Sequence, residues 1–257
     1  MQHIRVEQRG RVTRIELARP EVLNAINAAM HEELEQAFNA FAADPEQWIC
    51  VVTGAGRAFC AGSDLKSVVA EGYKSYPAHG YAGLIERFDC DKPIIAAVNG
   101  LALGGGFELA LACDIIIAAE SAGFGLPEPL VGAVALGGGV HRLARQIGLK
   151  QAMGMILASR RVDAREGERL GFVTEVVPDG DLEAAVERWV AAILKGAPLS
   201  IRASKQAVLR GLDEPSLAAA LANQSRYPAF GTWFNSADAA EGPRAFAEKR
   251  APEWQGR

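Results

Sequence analysis

A chain of 257 residues is long enough for one large domain, or for a core with a smaller appendage. Its 49% hydrophobic and 23% charged content fits a soluble globular protein and fits poorly with disorder or a membrane-embedded chain. The formal net charge of −4 argues against a surface for polyanions, so we expect no nucleic acid partner.

The chain also lacks signals for export or metal binding. It does not open on the apolar core of a signal peptide, and no later apolar run reaches spanning length without charges. We therefore expect no membrane association and take the cytoplasm as the default location. Cys50, Cys60, Cys90 and Cys113 lie among apolar or small residues without CxxC or Cys/His spacing, which predicts reduced, buried thiols and no metal site.

The hydrophobic pattern predicts the elements in chain order. Residues 4–17 alternate and favour a hairpin-like pair of strands, and residues 24–41 favour an amphipathic helix. Residues 48–53 indicate a short buried strand closed by glycines. Strand, glycine-rich turn and helix then return over residues 93–112, and again from residues 114–118 into a later helical run. This repetition predicts an α/β core in which helices cover buried strands.

Composition changes after residue 195, and few strand signals follow. Helices are predicted there over residues 199–210, 216–226 and 238–249. We therefore expect an α/β core of residues 1–195 and a helical C-terminal region of residues 196–257.

The segment of residues 66–84 is the least regular part of the first half. It contains three of the four tyrosines, Tyr73, Tyr76 and Tyr81. Such a segment suits either a mobile lid that walls a pocket or a plain surface loop, and the sequence leaves both open.

Two motifs that suggest other chemistries are incomplete. Gly54 and Gly56 follow a strand as in dinucleotide-binding proteins, but Phe59 stands where the third glycine would be. Ser63 and Lys66 match the S-x-x-K pattern of some serine acylases, whose companion motifs are absent. We discount both.

Two glycine-bounded turns are better candidates for a site. They span residues 59–66, after the strand that ends at Thr53, and residues 99–109, after the strand that ends at Val98. Glycine allows a sharp turn and lets a ligand come close to backbone N–H groups, and the second turn opens a helix whose first amides are unpaired. Two such amides from different turns would form an oxyanion hole.

Two glutamates accompany these turns. Glu108 lies in the first turn of the predicted helix, inside an apolar run, and Glu128 lies between Pro127 and Pro129. An apolar neighbourhood disfavours the carboxylate form, which suits proton transfer. Taken singly, each is better interpreted as a capping or salt-bridged glutamate, and only the full arrangement favours a catalytic role.

The order of these motifs resembles the enoyl-CoA hydratase (crotonase) family. Its successive signature blocks are similar to residues 19–25, 59–66, 97–109, 113–114, 124–128 and 241–250. The resemblance covers nearly the whole chain. Residues 104–112 and 245–257 are most similar to carnitinyl-CoA dehydratase-like members of that family.

The resemblance implies ββα units wound into a spiral, a helical C-terminal region, and trimers or dimers of trimers. It implies an acyl-CoA substrate, with coenzyme A as part of the thioester and no prosthetic group. The backbone N–H groups of Ser63 and Gly105 would form the oxyanion hole, and Glu108 and Glu128 would be the catalytic acids. Further substrate and coenzyme A contacts would come from Ala61, Asp64, Leu65, Lys66, Gly104, Phe246 and Lys249, the last two often from a neighbouring subunit.

The expected reaction is reversible syn hydration of a 2-enoyl-CoA to a 3-hydroxyacyl-CoA. Double-bond isomerisation, thioester hydrolysis or decarboxylation, and a non-catalytic or RNA-binding role, are the alternatives. Two departures bear on the substrate: Glu21 stands where many relatives carry lysine, and residues 135–137 replace a proline-glycine-alanine-like turn beside the acyl pocket. The tyrosines would suit a polar, aromatic or cationic acyl chain, or would only anchor their loop.

Overall fold

The computed structural model describes residues 1–72 and 75–257, and only the backbone of Glu71. The strands are β1 (Ile4–Arg9), β2 (Val12–Leu17), β3 (Ile49–Gly54), β4 (Ala58–Cys60), β5 (Ile94–Val98), β6 (Leu101–Leu103), β7 (Ile115–Ala119), β8 (Gly123–Gly125), β9 (Val162–Asp163) and β10 (Glu175–Val177). The helices are α1 (Ala28–Ala43), α2 (Leu65–Glu71), α3 (Gly105–Ala112), α4 (Gly139–Gln146), α5 (Leu149–Leu157), α6 (Ala164–Leu170), α7 (Leu182–Leu194), α8 (Pro198–Asp213), α9 (Leu217–Asn223), α10 (Pro228–Phe234) and α11 (Ala237–Glu248).

The larger sheet has the order β1-β2-β3-β5-β7-β10. β1 and β2 form the predicted antiparallel hairpin, and each later neighbour pairs in parallel. Every residue of β3 and β5 is buried, because helices and the second sheet cover both faces. Parallel strands in this position read as continuous apolar runs, which is how the sequence revealed them.

The smaller sheet has the order β4-β6-β8-β9. Each repeat sends a long strand to the larger sheet and a short strand to the smaller one, and then a helix: β3-β4-α2, β5-β6-α3 and β7-β8-α4. The fold is thus a spiral of ββα units, as the resemblance implied. β4 and β6 were expected to be parts of glycine-rich turns; with three residues each, they are too short to show strand alternation.

Two helices differ from the sequence prediction for local reasons. α1 begins at Ala28 rather than at residue 24, because Leu23 and Asn24 adopt left-handed backbone and Asn27 caps the helix by accepting the Met30 N–H at 2.9 Å. α2 lies in the segment expected to be irregular. Its N-cap is Asp64, which accepts the Ser67 N–H at 3.3 Å.

The C-terminal helices were predicted except for α10, whose two aromatic-rich turns begin at Pro228. α8 is tied to the core by the Lys205 ammonium on Asp114 at 2.8 Å and by the Gln206 amide on Asp91 at 3.0 Å. The boundary between residues 195 and 196 falls in the connection from α7 to α8, and the division into two regions stays a prediction.

The four cysteines are buried and unpaired, as expected. Within residues 1–72 and 75–257, no helix combines the length and apolar character needed to cross a bilayer.

Candidate active site

The first predicted turn is held against the start of α1 and against the second turn. Gly62 accepts the Ile26 N–H at 2.8 Å, and Asp64 donates its N–H back to Ile26 at 2.9 Å. Gly62 has a φ of +93°, and a Cβ there would lie 2.8 Å from the Leu103 carbonyl oxygen and 3.1 Å from the Gly105 nitrogen. Only glycine fits this approach, which brings Ser63 beside the second turn.

The second turn delivers the first residue of α3. Gly104 is the N-cap, with a φ of +55°, and Gly105 begins the helix. A Cβ on Gly106 would overlap the Cys60 carbonyl, so the helix packs directly on the end of β4. In the described part of the chain, neither the Ser63 nor the Gly105 backbone N–H has a protein acceptor. An oxyanion hole needs two such free amides on neighbouring turns, and its assignment to Ser63 and Gly105 stays a prediction.

Glu108 lies one helical turn deeper and is almost fully buried, with 3% of its surface exposed. Its Oε1 accepts the Gly139 N–H at 2.8 Å. Burial, together with the charge of Glu128, raises the pKa of Glu108 to about 7. The hydrogen bond from Gly139 and the positive charge of Arg142 lower this pKa but do not offset the rise. A carboxyl with that pKa can hold or release a proton at neutral pH.

Glu128 begins the short helical turn Glu128–Val131 after β8. Its Oε2 is buried and has no hydrogen-bond partner among the described residues, and burial raises its pKa. A Cβ on Gly104 would lie 2.9 Å from its Oε1, so this carboxyl leans on the residue that precedes Gly105. Both predicted acids therefore stand next to the predicted oxyanion turns.

The walls around Glu108 were not predicted from the sequence. A Cβ on Gly137 would overlap its Oε2, and one on Gly139 would lie 2.9 Å from its Cγ. Arg142, on the next turn of α4, donates to the Ile85 carbonyl at 2.6 Å and contributes positive charge near Glu108. The feature of the sequence that could have indicated these walls is the run of three glycines that ends at the first residue of α4.

Comparisons with known proteins decide the family. The model of the enoyl-CoA hydratase/isomerase family matches residues 7–257. The chain belongs to this family. A carnitinyl-CoA dehydratase from Proteus mirabilis is 42% identical over 262 aligned positions, covering all of this chain and 99% of the relative. One from Salmonella typhi is 41% identical, covering 99% of this chain and 98% of the relative.

Solved structures agree. The enoyl-CoA hydratase from Mycobacterium tuberculosis superposes with a TM-score of 0.93 at 36% identity, and that from Mycobacterium marinum with 0.93 at 38%; each match covers the whole of both chains. The protein is thus a crotonase-type enzyme of acyl-CoA chemistry, of the hydratase/dehydratase class of lyases.

In this enzyme, Asp64 stabilises the first turn, in addition to any contact that it makes with a ligand. Asp64 caps α2 and pairs with the Arg19 guanidinium at 3.0 Å. Burial acts to raise its pKa, but the hydrogen bonds from Arg19 and Ser67 outweigh burial and lower it. Leu65 and Lys66 are exposed on the first turn of α2, and Ala61 is half-buried and donates its N–H to Leu23 at 2.9 Å.

Phe246 and Lys249 lie at the exposed C-terminal end of α11, which packs on α10 and on the last residues of the chain. Phe246 is 87% exposed, and Lys249 ends the helix in a left-handed conformation.

Two of the three tyrosines, Tyr76 and Tyr81, lie within the described residues. Tyr81 is buried, with its hydroxyl 3.2 Å from the Ser63 Oγ, and its ring meets His31 edge-on at a centroid distance of 4.6 Å. Tyr76 is half-exposed and contacts both rings. Tyr73 lies outside the described residues.

Proposed function

We propose that this enzyme catalyses the reversible syn hydration of a 2-enoyl-CoA to a 3-hydroxyacyl-CoA. The observation that carries the proposal is the pair of carboxyls with raised pKa, the buried Glu108 and the half-buried Glu128, beside the available amides of Ser63 and Gly105. Two acid/base groups suit a reaction in which one proton leaves the water that adds to the β-carbon and another proton is added to the α-carbon.

The amides act on the thioester oxygen, which gains negative charge as the enolate forms. Their N–H groups are fixed before the reaction, and loss of one such donor typically costs about 10²–10³ in rate. Gly62 and Gly106 hold the two turns together, because a side chain at either position would force them apart.

The glutamates act as opposite partners. In hydration, the Glu108 carboxylate takes a proton from water as the water oxygen bonds to the β-carbon. The Glu128 carboxyl gives its proton to the α-carbon, and the carbon–carbon π bond is lost. One proton has then passed from Glu128 to Glu108, and exchange with solvent restores the starting state. Dehydration uses the same steps in reverse.

The pair needs one proton in total for either direction. Burial raises the pKa of both carboxyls, and the charge of Glu128 raises that of Glu108 further. No metal or prosthetic group takes part in these steps.

For the acyl group, the carnitinyl-CoA dehydratases at 40–42% identity support a trimethylammonium-bearing 3-hydroxyacyl thioester. A quaternary ammonium over the face of Tyr76 or Tyr81 would gain roughly 0.5–2 kcal/mol by cation–π attraction. The comparison to make is kcat/KM for crotonobetainyl-CoA against crotonyl-CoA, in the wild type and in Tyr76→Leu. Equal losses on both substrates would leave the ring as a loop anchor.

For coenzyme A and assembly, we extend the proposal to a second copy of the chain. Phe246 and Lys249 are exposed at the end of α11, where they would contact the coenzyme A nucleotide of a neighbouring subunit. A homotrimer or a dimer of trimers, as the resemblance implies, would supply that neighbour. Ala61, Leu65, Lys66 and Gly104 would contact the thioester and pantetheine within the same subunit, with Asp64 holding their turn.

The test is to incubate the protein with a panel of 2-enoyl-CoA and 3-hydroxyacyl-CoA thioesters and to identify products by mass. A product heavier or lighter by one water supports the proposal. Release of free coenzyme A would indicate thioester hydrolysis. Loss of carbon dioxide would indicate decarboxylation, and a product of unchanged mass would indicate isomerisation. Binding of RNA without turnover would indicate the non-catalytic alternative. The presence of both glutamates favours hydration, because isomerisation can proceed with one acid/base.

A further inference from the structure

The Arg142 side chain lies against the residue that precedes α4. This residue is Gly138, which has a left-handed backbone. A Cβ on Gly138 would overlap Nη1 of Arg142, so the guanidinium rests directly on the backbone there. The backbone N–H of Arg142 donates to the Gly138 carbonyl at 2.7 Å. The side chain and the main chain of Arg142 thus both hold Gly138.

Gly138 is the middle residue of the three-glycine turn, residues 137–139, that encloses the Glu108 carboxyl. Gly139 donates its N–H to Glu108 Oε1 at 2.8 Å, and a Cβ on Gly137 would overlap Oε2. The position of this turn therefore decides where the carboxyl lies. Glycine loses more conformational freedom on folding than any other residue, so a turn of three glycines needs contacts from outside to keep one conformation.

The same guanidinium is bound to a second segment of the chain, residues 81–87. Nη2 of Arg142 donates to the carbonyl of Ile85, which is itself buried. This segment is held on α1 by the buried Arg87, which donates to the Gly83 carbonyl at 3.1 Å and to Asn39 Oδ1 at 2.6 Å. Arg142 therefore connects the three-glycine turn to a part of the structure that is fixed independently.

Arg142 also brings a positive charge to the neighbourhood of the carboxyl. Burial lowers the pKa of Arg142, and the charge of Glu108 acts against this, so the guanidinium stays a cation around neutral pH. Its charge in turn acts against the burial that raises the pKa of Glu108. Other titratable groups that interact with one of the two by charge are Glu86, Cys113, Glu128 and Tyr81. Burial raises the pKa of Cys113 and of Tyr81, so both stay neutral near pH 7.

We infer that Arg142 is a positioning residue for Glu108: its guanidinium fixes the three-glycine turn against residues 81–87 and thereby holds the carboxyl in place. The inference rests on the proposed function, in which Glu108 takes a proton from water, and adds the residue that keeps this acid in position. Arginine suits the role because its planar fork can bond an acceptor and cover the turn at once. The ammonium of lysine is a single point on a flexible stem.

The test measures kcat and KM in the wild type, Arg142→Met and Arg142→Lys, with the thioester of the panel that is turned over fastest. Both variants lack the fork, so kcat should fall by about 10–10²-fold while KM stays nearly constant, since a shift of about 1 Å can cost that much. Arg145→Met is the matched control. Arg145 is an exposed arginine of the same helix that donates to the His141 carbonyl, and its loss should change neither constant.

Two outcomes of this experiment would overturn the inference. One is an unchanged kcat in Arg142→Met. The other is full recovery of kcat in Arg142→Lys, which would show that a positive charge is enough. Arg142→Lys keeps the cation and therefore tests the inference even if Arg142→Met does not fold.

Nuclear magnetic resonance gives a second measurement that does not depend on turnover. The amide signal of Gly139 reports its bond to Glu108, and it should shift in both Arg142 variants but not in Arg145→Met. The ¹³C signal of the Glu108 carboxyl, identified by its absence in Glu108→Gln, gives the titration midpoint. This midpoint should rise by about one pH unit in Arg142→Met, which loses the positive charge, and should stay in place in Arg142→Lys, which keeps it.

These signals separate the inference from the proposed function. An unchanged Gly139 amide in the folded Arg142 variants would overturn the inference, and so would an unchanged Glu108 midpoint in Arg142→Met. If no thioester is turned over, the proposed function fails, and the Gly139 amide alone decides whether Arg142 positions the carboxyl.

Discussion

Replacement of Glu108 by glutamine should lower activity, and the stability of the variant relative to the wild type should rise with pH. In the folded protein this carboxyl has a pKa of about 7, against 4.5 for the exposed group. Glutamine keeps an oxygen for the Gly139 N–H but cannot accept a proton from water. Turnover should therefore fall by about 10²–10⁴, while thioester binding changes little.

The size of the stability effect follows from proton linkage. A carboxyl whose pKa is raised by folding binds its proton more tightly in the native state, so stability is greatest below pH 4.5 and falls as pH rises toward 7. The shift from 4.5 to about 7 corresponds to about 3 kcal/mol once pH is well above 7, and to less than about 1 kcal/mol at pH 5. The glutamine variant lacks this loss. Its advantage over the wild type should grow by about 2–3 kcal/mol between pH 5 and pH 8.

The measurement is the free energy of unfolding in urea for both proteins at pH 5 and pH 8, at one protein concentration. A new amide donor left without a partner would add a constant cost of about 1–3 kcal/mol, which cancels in the comparison between pH values. Glu187→Gln changes an exposed glutamate of α7 and serves as the control. If the Glu108→Gln advantage did not change with pH, the raised pKa and its cause would both be refuted.

Three further outcomes are expected. Glu128→Gln should also lower turnover by about 10²–10⁴, since the α-carbon loses its proton partner, and near wild-type turnover would withdraw its role as an acid/base. The pH profiles of kcat/KM for hydration and dehydration should be bell-shaped and should coincide, because both directions need one proton on the Glu108–Glu128 pair and the overall reaction releases no proton. Profiles whose acidic or basic sides differ between the two directions would contradict a shared pair. Lys249→Ala or Phe246→Ala should weaken coenzyme A thioester binding and leave kcat nearly unchanged. Lys195→Ala changes an exposed lysine before α8 and should alter neither quantity. Equal affinities in the wild type and all three variants would exclude the neighbouring-subunit site.

The sequence predicted the features that depend on local pattern. The apolar runs of β3 and β5 are continuous because both faces of a parallel strand are covered, and the glycines around Ser63 and Gly105 mark turns that no larger residue can make. The burial that raises the pKa of Glu108 could be anticipated from its apolar neighbours in the chain.

The remaining features depend on contacts between distant segments. The donor to Glu108 comes from Gly139, 31 residues later, and Tyr81 reaches Ser63 across 18 residues. Neither contact follows from periodicity, because each arises only after the ββα units stack. The same holds for β4, which becomes a strand by pairing with β6, and for β6, which pairs with β4 and β8.

The cramped surroundings of Glu108 make its activity depend on what nearby positions lack. Gly137 and Gly139 leave room for the carboxyl only because they carry no side chain. A methyl group at residue 139 would lie 2.9 Å from the Cγ and Oε1 of the acid and displace it without altering the acid itself. A homologous chain could therefore retain the glutamate and keep the fold while its carboxyl group lies in another place. In such chains, the residues of the wall carry as much information about activity as the glutamate they enclose.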